Sequence, residues 1–510
     1  MKDKIVIWCG LDFTQYCTAY YLQKMIDCEL YSIVDVNVKT EKFFKSQKLV
    51  NFKQFWFLHH QYNSDKKLPD LEYLKYFEKK YDIDLWKLAI NERSFYGFFN
   101  YHKFSSNEIL SIVEQICKFF ESFFEQVKPN FFITKLSAFF HLELFRQMCI
   151  FHGVKVLMLS NPKIPNKNMI SEDDTKFDYF ENLNQINYTP KTFSELNEEF
   201  KILTNNKSSL QHGLDYWKTH SSNSFIKFAK ISLMYIFSKN SNYLSHFNYY
   251  GRTKLKVIIN SLNLFLRVKI REIYMNKNLT KTPNLDSPFV YFPLGIVLER
   301  HILIGAPFHT NQIELIRNIV KSLPVGYRLL VKEHPVQKSR EWRPISEYKQ
   351  ILEIPNVTLI HYSVSDKNLI QKSSLVFSVS GSTGFEAILK QKPVIVFGDA
   401  IYSYLSSVKK NTSIENLSKD IRNSLDTKVD SINLSQYFSL LSQNLISFNF
   451  ADFSREFYDR FAFNGGYNDV DIDETQLESF ILEKKESLEY LSKCHLDKIQ
   501  QHKNAQNIQK

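Results

Sequence analysis

Two short segments of this 510-residue chain group side chains that could bind a phosphate. The first is Lys332-Glu-His-Pro335, in which an ammonium group and an imidazole follow an apolar run. Both groups can carry a positive charge, so Lys332 and His334 suit a monophosphate or diphosphate ester. Pro335 ends the run and fixes the turn. Taken alone, the segment also fits a loop in which His334 is only a cap.

The second segment is a turn of small residues that leads into a helical pattern. Its members are Ser380, Gly381, Ser382, Thr383 and Gly384. Backbone N–H groups at a helix N-terminus favour an anion, because the positive end of the helix dipole lies there. Glu386 follows in the first helical turn, and we expect it either to cap the helix or to accept hydrogen bonds from a ribose or sugar hydroxyl. A third segment, Lys392 to Asp399, is a buried strand that we interpret as a wall of the cleft.

Three carboxylates are candidates for a general base that deprotonates a hydroxyl group of an acceptor. Asp12 follows the first apolar run and its Gly10, Asp35 ends the second run, and Glu92 precedes Arg93. A carboxylate after a strand can act as a base, but it is also common as a turn or cap residue. The sequence leaves both interpretations open for each of the three.

No metal site is predicted. Spaced carboxylates occur from Asp469 to Glu474, but they run into Thr475-Gln-Leu, which is typical of the start of a solvated helix. We interpret several histidines without ligand spacing to a Cys or carboxylate as loop or surface residues, namely His59, His60, His212, His220 and His246. The six cysteines form no Cys-x-x-Cys pair, which argues against a zinc site or a disulfide framework.

These segments lie among alternating strand and helix patterns. In the first part of the chain, strands are predicted over Lys4–Gly10, Leu30–Val36, Asn130–Ile133 and Val154–Ser160, whereas residues 50–128 look mainly helical. In the second part, strands are predicted over Phe289–Pro293, Tyr327–Lys332, Val357–His361, Leu375–Val379 and Pro393–Gly398. The alternation predicts parallel sheets covered by helices. The candidate phosphate-binding segments follow strands, and the carboxyl ends of strands are where such sheets bind ligands.

Composition is that of a globular protein with more than one domain. Hydrophobic residues make up 44% and aromatic residues 15% of the chain, while Gly and Pro are scarce. A chain of this length exceeds the size of a single hydrophobic core. The net charge of +11 suits an anionic ligand, a nucleic acid or an anionic lipid surface. Because there is neither a signal peptide nor an uninterrupted apolar run of about 18 residues, we expect a cytoplasmic protein.

The run from Phe289 to Tyr402 resembles the nucleotide-binding domain of the capsule polysaccharide biosynthesis glycosyltransferases. This family has the GT-B fold and includes the bacterial Kdo transferases. The blocks that match, in the same order along the chain, are Tyr291-Phe-Pro-Leu294 with Glu299-Arg300, Asn311-Gln312, Leu323-Pro-Val-Gly-Tyr327, Val331-Lys-Glu-His-Pro335, Ile354-Pro-Asn-Val357, Ser380-Gly-Ser-Thr-Gly384 with Glu386-Ala387, and Lys392-Pro-Val-Ile-Val-Phe-Gly398. In the N-terminal half, the likeness is limited to the βαβ order and to Glu92-Arg93.

The resemblance implies an α/β protein of GT-B type, with two Rossmann-like domains that face a cleft. We predict an N-terminal acceptor domain over residues 1–194, a helical, basic-aromatic insertion or linker over 195–280 and a nucleotide-sugar-binding domain over 281–448. Helices and a polar tail follow over 449–510. As in relatives, the helices from Phe450 to Leu488 are expected to pack back on the N-terminal domain. Residues after about 485 are polar enough to fray.

The implied activity is transfer of a sugar from a nucleotide-sugar donor to a capsular or other surface polysaccharide or glycolipid. His334 would contact the donor phosphate, the turn from Ser380 to Thr383 would complete the pocket, and Glu299 would belong to it. CMP-Kdo is a candidate donor, because members that use it share the His-Pro and Ser/Thr-rich elements. No cofactor and no metal is expected.

Two other functions remain open at this stage. A sugar-nucleotide epimerase has the same architecture, and Glu299 or Glu386 could supply its acid and base groups. A basic nucleic-acid-binding protein would fit the charge, but the sequence contains no recognised motif of that kind, so no nucleic-acid partner is predicted.

Basic residues alternate with aromatic and aliphatic ones from Phe225 to Tyr274. Such a segment can lie against anionic lipid on the inner face of the cell membrane, where a lipid-linked acceptor would be found. It can equally form a helical hairpin that packs on the domains and exposes a basic face to solvent.

Overall fold

A computed structural model describes residues 2–63, 68–95, 101–180, 182–204, 233, 236–237, 247–462 and 470–509. Two six-stranded sheets dominate it, one formed by strands that precede residue 172 and the other by strands that follow residue 288. Hydrophobic clusters lie on both faces of each sheet, so each sheet is the centre of a doubly wound lobe. The predicted α/β class with two Rossmann-like lobes is confirmed. We call them the N-terminal lobe and the C-terminal lobe.

The sheet of the N-terminal lobe has the strand order β3-β2-β1-β4-β5-β6. Its strands are β1 (Asp3–Gly10), β2 (Cys28–Asp35), β3 (Phe52–Phe57), β4 (Phe131–Lys135), β5 (Lys155–Ser160) and β6 (Met169–Ser171). β1 to β5 run parallel, and β6 is antiparallel to β5. The chain reverses its direction of travel across the sheet between β1 and β4, so the carboxyl ends of these two strands border a crevice.

The helices of this lobe include one that begins at a capping box. They are α1 (Thr14–Met25), α2 (Val38–Ser46), α3 (Leu71–Tyr81), α4 (Leu85–Ile90), α5 (Ser106–Val127) and α6 (Phe140–Phe151). Ser105 accepts a hydrogen bond from the backbone of Glu108, and the Glu108 side chain accepts one from the backbone of Ser105. This capping box begins α5. The apolar face of α5 packs under the sheet, with Phe120 against Trp8 of β1.

The sheet of the C-terminal lobe is entirely parallel among its described strands, in the order β12-β11-β10-β7-β8-β9. The strands are β7 (Phe289–Pro293), β8 (Arg328–Lys332), β9 (Val357–Ile360), β10 (Leu375–Ser378), β11 (Val394–Val396) and β12 (Val408–Lys410). β7 to β11 match the five predicted strands to within two residues at each end, because parallel strands buried on both faces appear as continuous apolar runs. Here the crevice lies between the carboxyl ends of β7 and β10.

The helices of the second half surround this sheet. They are α7 (Phe193–Leu203), α8 (Lys254–Asn278), α9 (Arg300–Leu303), α10 (Gln312–Ser322), α11 (Ile345–Leu352), α12 (Asp366–Lys372), α13 (Ser382–Leu389), α14 (Leu417–Asp426) and α15 (Ser431–Asn444). Although α7 precedes the sheet in the chain, its Leu196 is buried in the core of the C-terminal lobe together with Phe385 of α13 and Tyr437 of α15.

The last helices, α16 (Phe450–Phe461), α17 (Glu474–Glu483) and α18 (Lys485–Gln509), return to the N-terminal lobe as the resemblance implied. Phe457 stacks on Phe13 with ring centroids 5.0 Å apart. The prediction that residues after 485 fray is wrong. α18 is helical to Gln509 and packs on α1, because Leu488, Leu491 and Ile499 are buried along one of its faces.

Two further expectations concern the stretch over residues 50–128 and the basic-aromatic segment. β3 lies in the stretch that was expected to be mainly helical; it is an edge strand, and its Lys53 and Gln54 are exposed. Most of the first part of the basic-aromatic segment, residues 225–246, lies outside the described residues, and its second part contains α8. None of the described helices is both long enough and apolar enough to cross a membrane.

Candidate functional site

A cavity of about 620 Å³ lies between the lobes, at the point where their two crevices face each other. The N-terminal lobe contributes Lys135 at the end of β4 and the loop from Asn161 to Asn168 after β5. The C-terminal lobe contributes the residues that follow β7, β8 and β10. Residues 449–451, at the start of α16, complete the wall. The predicted donor-site residues that line this cavity are Glu299, His334, Gly381, Ser382 and Thr383.

His334 is both a cap and a part of the cavity wall. Its Nδ1 accepts a hydrogen bond from the backbone N–H of Val336 at 3.2 Å, at the start of a short 3₁₀-helix over Pro335–Arg340. Burial lowers the pKa of His334, although the carboxylate of Glu299 opposes the shift. The ring is therefore neutral at pH 7 with its proton on Nε2, because Nδ1 is the acceptor. This leaves one N–H group for a ligand.

The small-residue turn after β10 is held in place by Tyr402 and Ser378. The Tyr402 hydroxyl donates to the carbonyl of Gly381 at 2.6 Å, and Ser378 Oγ accepts from the backbone N–H of Gly381 at 2.8 Å. Gly384 lies directly against the Tyr402 ring, so a side chain at this position would meet the phenol. Gly384 therefore allows the close packing that fixes the turn, although it does not line the cavity.

The hydroxyl groups of this turn divide into two sets. Ser380 is buried and donates to the carbonyl of His301 at 3.1 Å, so it positions α9 and does not line the cavity. Ser382 and Thr383 are the first two residues of α13 and do line it. The first backbone N–H groups of α13 have no partner within the helix, so this edge of the cavity suits an anion.

Lys332 does not line the cavity, in contrast to its predicted role. Its ammonium group lies 2.6 Å from Oδ2 of Asp366 at the start of α12, and the hydroxyl of Tyr291 donates to the other oxygen at 2.5 Å. Side chains alternate between the two faces of a strand, and Lys332 lies on the face that α12 covers. Its charge is neutralised inside the lobe, so Lys332 supports the end of β8.

Glu333, which the sequence did not single out, anchors the loop that presents His334. The fully buried carboxylate accepts hydrogen bonds from the backbone N–H of His334 at 2.7 Å, the Tyr348 hydroxyl at 2.8 Å and Arg343 Nε at 3.0 Å. Arg343 also donates to the carbonyl of Gly295 at 2.7 Å. One buried network therefore links the loops after β7 and β8, both of which line the cavity.

Glu299 faces the cavity with His301 beside it. Its Oε2 lies 3.1 Å from Nδ1 of His301. Burial favours the neutral acid, but the hydrogen bond from His301 and the nearby ammonium group of Lys163 favour the ionised form, and the pKa of Glu299 is held below its usual range. Glu299 is thus an ionised acceptor for hydroxyl or amide donors of a bound ligand.

Arg300 joins the lobes through buried ion pairs. Its guanidinium lies 2.9 Å from Glu143 on α6 and 3.2 Å from Asp174, and it donates to the carbonyl of Ser137 at 2.9 Å. Glu143 also accepts hydrogen bonds from Arg146 at 2.7–3.2 Å. Because Arg300 lines the cavity as well, this network fixes the separation of the two walls there.

Pro335 and Glu386 were predicted to belong to the donor site, but neither lines the cavity. Pro335 ends the strand and begins the 3₁₀-helix, as predicted, but it does not line the cavity. Glu386 lies beyond the first turn of α13, whose N-cap is Gly381 without a side-chain hydrogen bond. Glu386 therefore neither caps the helix nor lines the cavity, because the helix begins two residues earlier than predicted.

Asp12 is buried and forms an ion pair with Lys135. One of its oxygens accepts from the backbone N–H and the hydroxyl of Thr14, at 3.1 and 2.8 Å, and the other contacts the ammonium group of Lys135. Burial by itself would lower the pKa of Lys135 to about 7, but the carboxylate in contact favours the charged ammonium. Asp12 is therefore a turn residue and a counter-ion beneath the cavity, and Lys135 is the residue that lines it.

The other two carboxylates that could have been a base are also paired. Glu92 is buried and accepts from the backbone N–H groups of Ser94 at 2.9 Å and Phe140 at 2.8 Å, so it caps the start of α6. Asp35 lies at the end of β2, 3.1 Å from Nε2 of His141. Neither carboxylate lines the cavity, because both are held by these contacts within the N-terminal lobe.

The loop after β5 supplies two cavity lysines that sequence reasoning missed. Lys163 and Lys167 both line the cavity, and Lys167 donates to Ser447 at 3.1 Å. Lys163 and Asn166 have φ angles of 67° and 60°, a left-handed conformation that Asn adopts readily but that is costly for Lys. The sequence could have indicated these lysines, because they lie in a polar loop directly after a parallel strand, which is a common place for ligand contacts.

One group of side chains in the described part of the chain has ligand atoms close enough to hold a metal ion. Nε2 of His59 and Nε2 of His60 lie 2.7 and 3.0 Å from one oxygen of Glu41, whose other oxygen contacts Lys45. The interpretation of His59 as a loop or surface residue is wrong, because it is buried beside Glu41.

The remaining sequence candidates for metal ligands do not form a described cluster. His212, His220, His246 and Asp469 lie outside the described residues. Asp473 caps the start of α17 by accepting from the backbone of Gln476, as expected for a helix N-terminus.

Residues 193–444, just under half of the chain, match the family model described as capsule polysaccharide biosynthesis protein. A comparison with curated proteins finds no match. The matched range contains the whole sheet of the C-terminal lobe and each cavity residue that this lobe contributes.

Several solved structures are similar to this chain at low identity. The Thermosulfurimonas dismutans KpsC, a beta Kdo 2,7 transferase, is 16% identical, with coverage of 71% of this chain and 97% of that one and a TM-score of 0.28. The UDP-GlcNAc 2-epimerase of Methanocaldococcus jannaschii, in complex with UDP-GlcNAc and UDP, is 11% identical, with 86% and 99% coverage and a TM-score of 0.25. Anabaena HepE in complex with UDP-glucose is 10% identical, with 89% and 98% coverage and a TM-score of 0.24.

Proposed function

We propose that the chain is a glycosyltransferase that uses a nucleotide-sugar donor, and the match of residues 193–444 to the model of the capsule polysaccharide biosynthesis family supports this proposal. The observation that carries the proposal is the cavity between the lobes, whose C-terminal wall combines the neutral ring of His334 with the N-terminus of α13. Both features offer N–H donors to an anion without requiring a metal ion.

The donor would lie against the C-terminal lobe. Its phosphate would accept hydrogen bonds from Nε2 of His334, from the first N–H groups of α13 and from the hydroxyls of Ser382 and Thr383. The ionised Glu299 would accept hydrogen bonds from the sugar or the nucleoside. Such donors stabilise the negative charge that develops on the departing nucleotide, which is the larger part of catalysis in a reaction of this kind.

The acceptor would approach from the N-terminal lobe. Lys163 and Lys167 face the cavity there, so this wall suits an acidic glycan or the phosphate of a glycolipid. The same positive wall suits an acidic donor sugar, and CMP-Kdo is therefore the donor that we propose to test first. The acceptor we propose is a capsular or other surface polysaccharide or its lipid-linked precursor.

A panel of nucleotides tests the donor site directly. CMP, UDP, GDP and their sugars should be compared for thermal stabilisation, since a ligand that binds only the folded state at 100 times its Kd adds about 2.7 kcal/mol to the stability. We expect one nucleotide to stabilise the wild type, with the shift much reduced in the variant Ser382→Ala/Thr383→Ala. A shift that is equal in both proteins would place the nucleotide elsewhere.

A product assay separates transfer from epimerisation, the second activity of this architecture. Incubation of the stabilising nucleotide-sugar with an acceptor glycan should give an extended glycan and free nucleotide, and the rate should be the same in the presence of EDTA. An altered sugar that remains attached to its nucleotide, formed without any acceptor, would replace the transferase proposal by the epimerase.

A further inference from the structure

Helix α8 exposes its apolar side chains to solvent. Seven large apolar residues along it are 48–69% exposed, namely Leu255, Ile259, Leu262, Phe265, Leu266, Ile270 and Ile273. At about 100° per residue they all fall on one face of the helix, which we call the outer face. The stripe is about 27 Å long. An ordinary surface helix has the opposite arrangement, with polar residues outward and apolar residues against the core.

The opposite face of α8 fixes the helix to the protein through charged groups. Arg267 and Arg271 form ion pairs with Glu341 at 2.8 and 2.9 Å, and Glu272 pairs with Lys338 at 2.8 Å. Near the end of the helix Met275 and Leu279 are buried in the core of the C-terminal lobe. The helix is therefore held in one rotational orientation, and the exposure of its outer face follows from these contacts.

Lysines lie within and beside the outer face. Lys256, Lys269 and Lys277 are exposed, and Lys269 lies among the apolar residues of the stripe. The chain as a whole carries a charge of +11. Exposed Leu233, Ile236 and Phe237 extend the apolar surface, and the Ile236 carbonyl accepts a hydrogen bond from Lys254 at the start of α8. Large exposed apolar patches of this kind mark interaction sites.

We propose that the outer face of α8 docks the protein on an anionic lipid bilayer, with the helix axis parallel to the membrane plane. Leu262, Phe265 and Leu266 enter the boundary between headgroups and acyl chains, and Lys256 and Lys269 contact the anionic headgroups. A lysine within an apolar stripe suits this position, because its long stem lets the charge reach the headgroups. In a symmetric pair of α8 helices the same Lys269 would be buried near its own copy, so charge favours lipid as the partner.

Vesicle sedimentation with the full chain tests this proposal. Vesicles of phosphatidylglycerol and phosphatidylethanolamine should retain the wild type, and pure phosphatidylcholine vesicles should retain it much less. The variant Leu262→Ser/Phe265→Ser/Leu266→Ser should lose about tenfold in partitioning for each substitution. Lys256→Gln/Lys269→Gln should lose about fivefold for each lysine on anionic vesicles only. The matched control Val325→Ser/Ile432→Ser/Leu482→Ser changes three exposed apolar residues elsewhere and should bind as the wild type does.

Three results would overturn the proposal. The first is wild-type protein that stays in the supernatant with anionic vesicles at low salt, and the second is equal retention of the α8 variant and its control. The third comes from sedimentation velocity without lipid: a wild-type dimer that the α8 variant abolishes would assign the outer face to a second copy of the chain. The proposal does not rest on glycosyl transfer, since vesicle binding is measured without donor or acceptor.

Discussion

Replacing Glu143 by glutamine should weaken the contact between the lobes in a pH-dependent way. The carboxylate is buried, which raises its pKa, but the guanidinium groups of Arg300 and Arg146 outweigh the burial and lower the pKa from 4.5 to about 2. At about 1.4 kcal/mol for each pH unit between these values, the ionised carboxylate stabilises the folded state by about 3 kcal/mol at pH 7. Glu143→Gln removes the charge and should cost about this much.

The sign of the pH dependence follows from the lowered pKa. A carboxylate with a lowered pKa contributes its full stability above the unfolded value of 4.5 and loses it as the pH falls towards the folded value of about 2. The difference between wild type and Glu143→Gln should therefore be about 3 kcal/mol at pH 5.5, as at pH 7, and about 2 kcal/mol at pH 3.5. The variant itself lacks this titration.

Urea unfolding at pH 7, 5.5 and 3.5 measures these free energies, with Trp8 near α6 as a fluorescent reporter. Glu198→Gln is the matched control, since its carboxylate is exposed on α7 and pairs with Lys201 at the surface. Such a pair contributes about 0.2–1 kcal/mol, so the control should stay close to the wild type. A Glu143→Gln variant within 1 kcal/mol of its control at pH 7, or a difference that does not narrow on acidification, would refute the reasoning.

Three further variants test the cavity and its supports. His334→Ala should lower the transfer rate about a hundred- to thousandfold, because it removes a hydrogen-bond donor to the leaving phosphate. The free energy of unfolding should fall by about 1 kcal/mol, because the helix cap is lost. A near-normal transfer rate would exclude His334 from the site. Arg343→Met should lower the free energy of unfolding by about 3–5 kcal/mol, because it leaves Glu333 charged and buried, and urea unfolding with an unchanged midpoint would contradict this. Gly384→Ala should push Tyr402 away and lower the free energy of unfolding by about 1–3 kcal/mol. It should also weaken nucleotide binding in the thermal-shift assay, and unchanged binding would mean that the turn does not hold the donor.

The fold of the C-terminal lobe could be predicted because its strands are buried on both faces. Runs such as Phe289–Pro293 and Leu375–Ser378 contain almost no polar residue, so each one is visible without knowledge of its neighbours. β3 was missed because an edge strand exposes some of its residues and lacks that signal. Fraying after residue 485 was predicted wrongly because overall polarity concealed three buried positions, Leu488, Leu491 and Ile499, which recur at helical spacing.

The candidate site could be predicted only where strand ends decide the position of a residue. His334, Ser382 and Thr383 line the cavity for that reason. Lys332 is only two residues from His334, yet it lies on a face of the sheet covered by a helix, and Asp366 that holds its charge is distant in sequence. The same limit applies to Asp12, because its pairing with Lys135 joins two strands that become neighbours only when the sheet forms.

The return of the last three helices to the N-terminal lobe has a consequence for synthesis on the ribosome. The strands of that lobe are complete once Ser171 has emerged, but the apolar surface around Phe13 is covered by residues as late as Ile499. At about 5–20 residues per second, the intervening stretch takes about 15–65 s to translate. During that interval the nascent lobe has an open apolar side, which is a target for chaperones and a risk of aggregation. The part of the protein that is made first is thus the last to be finished.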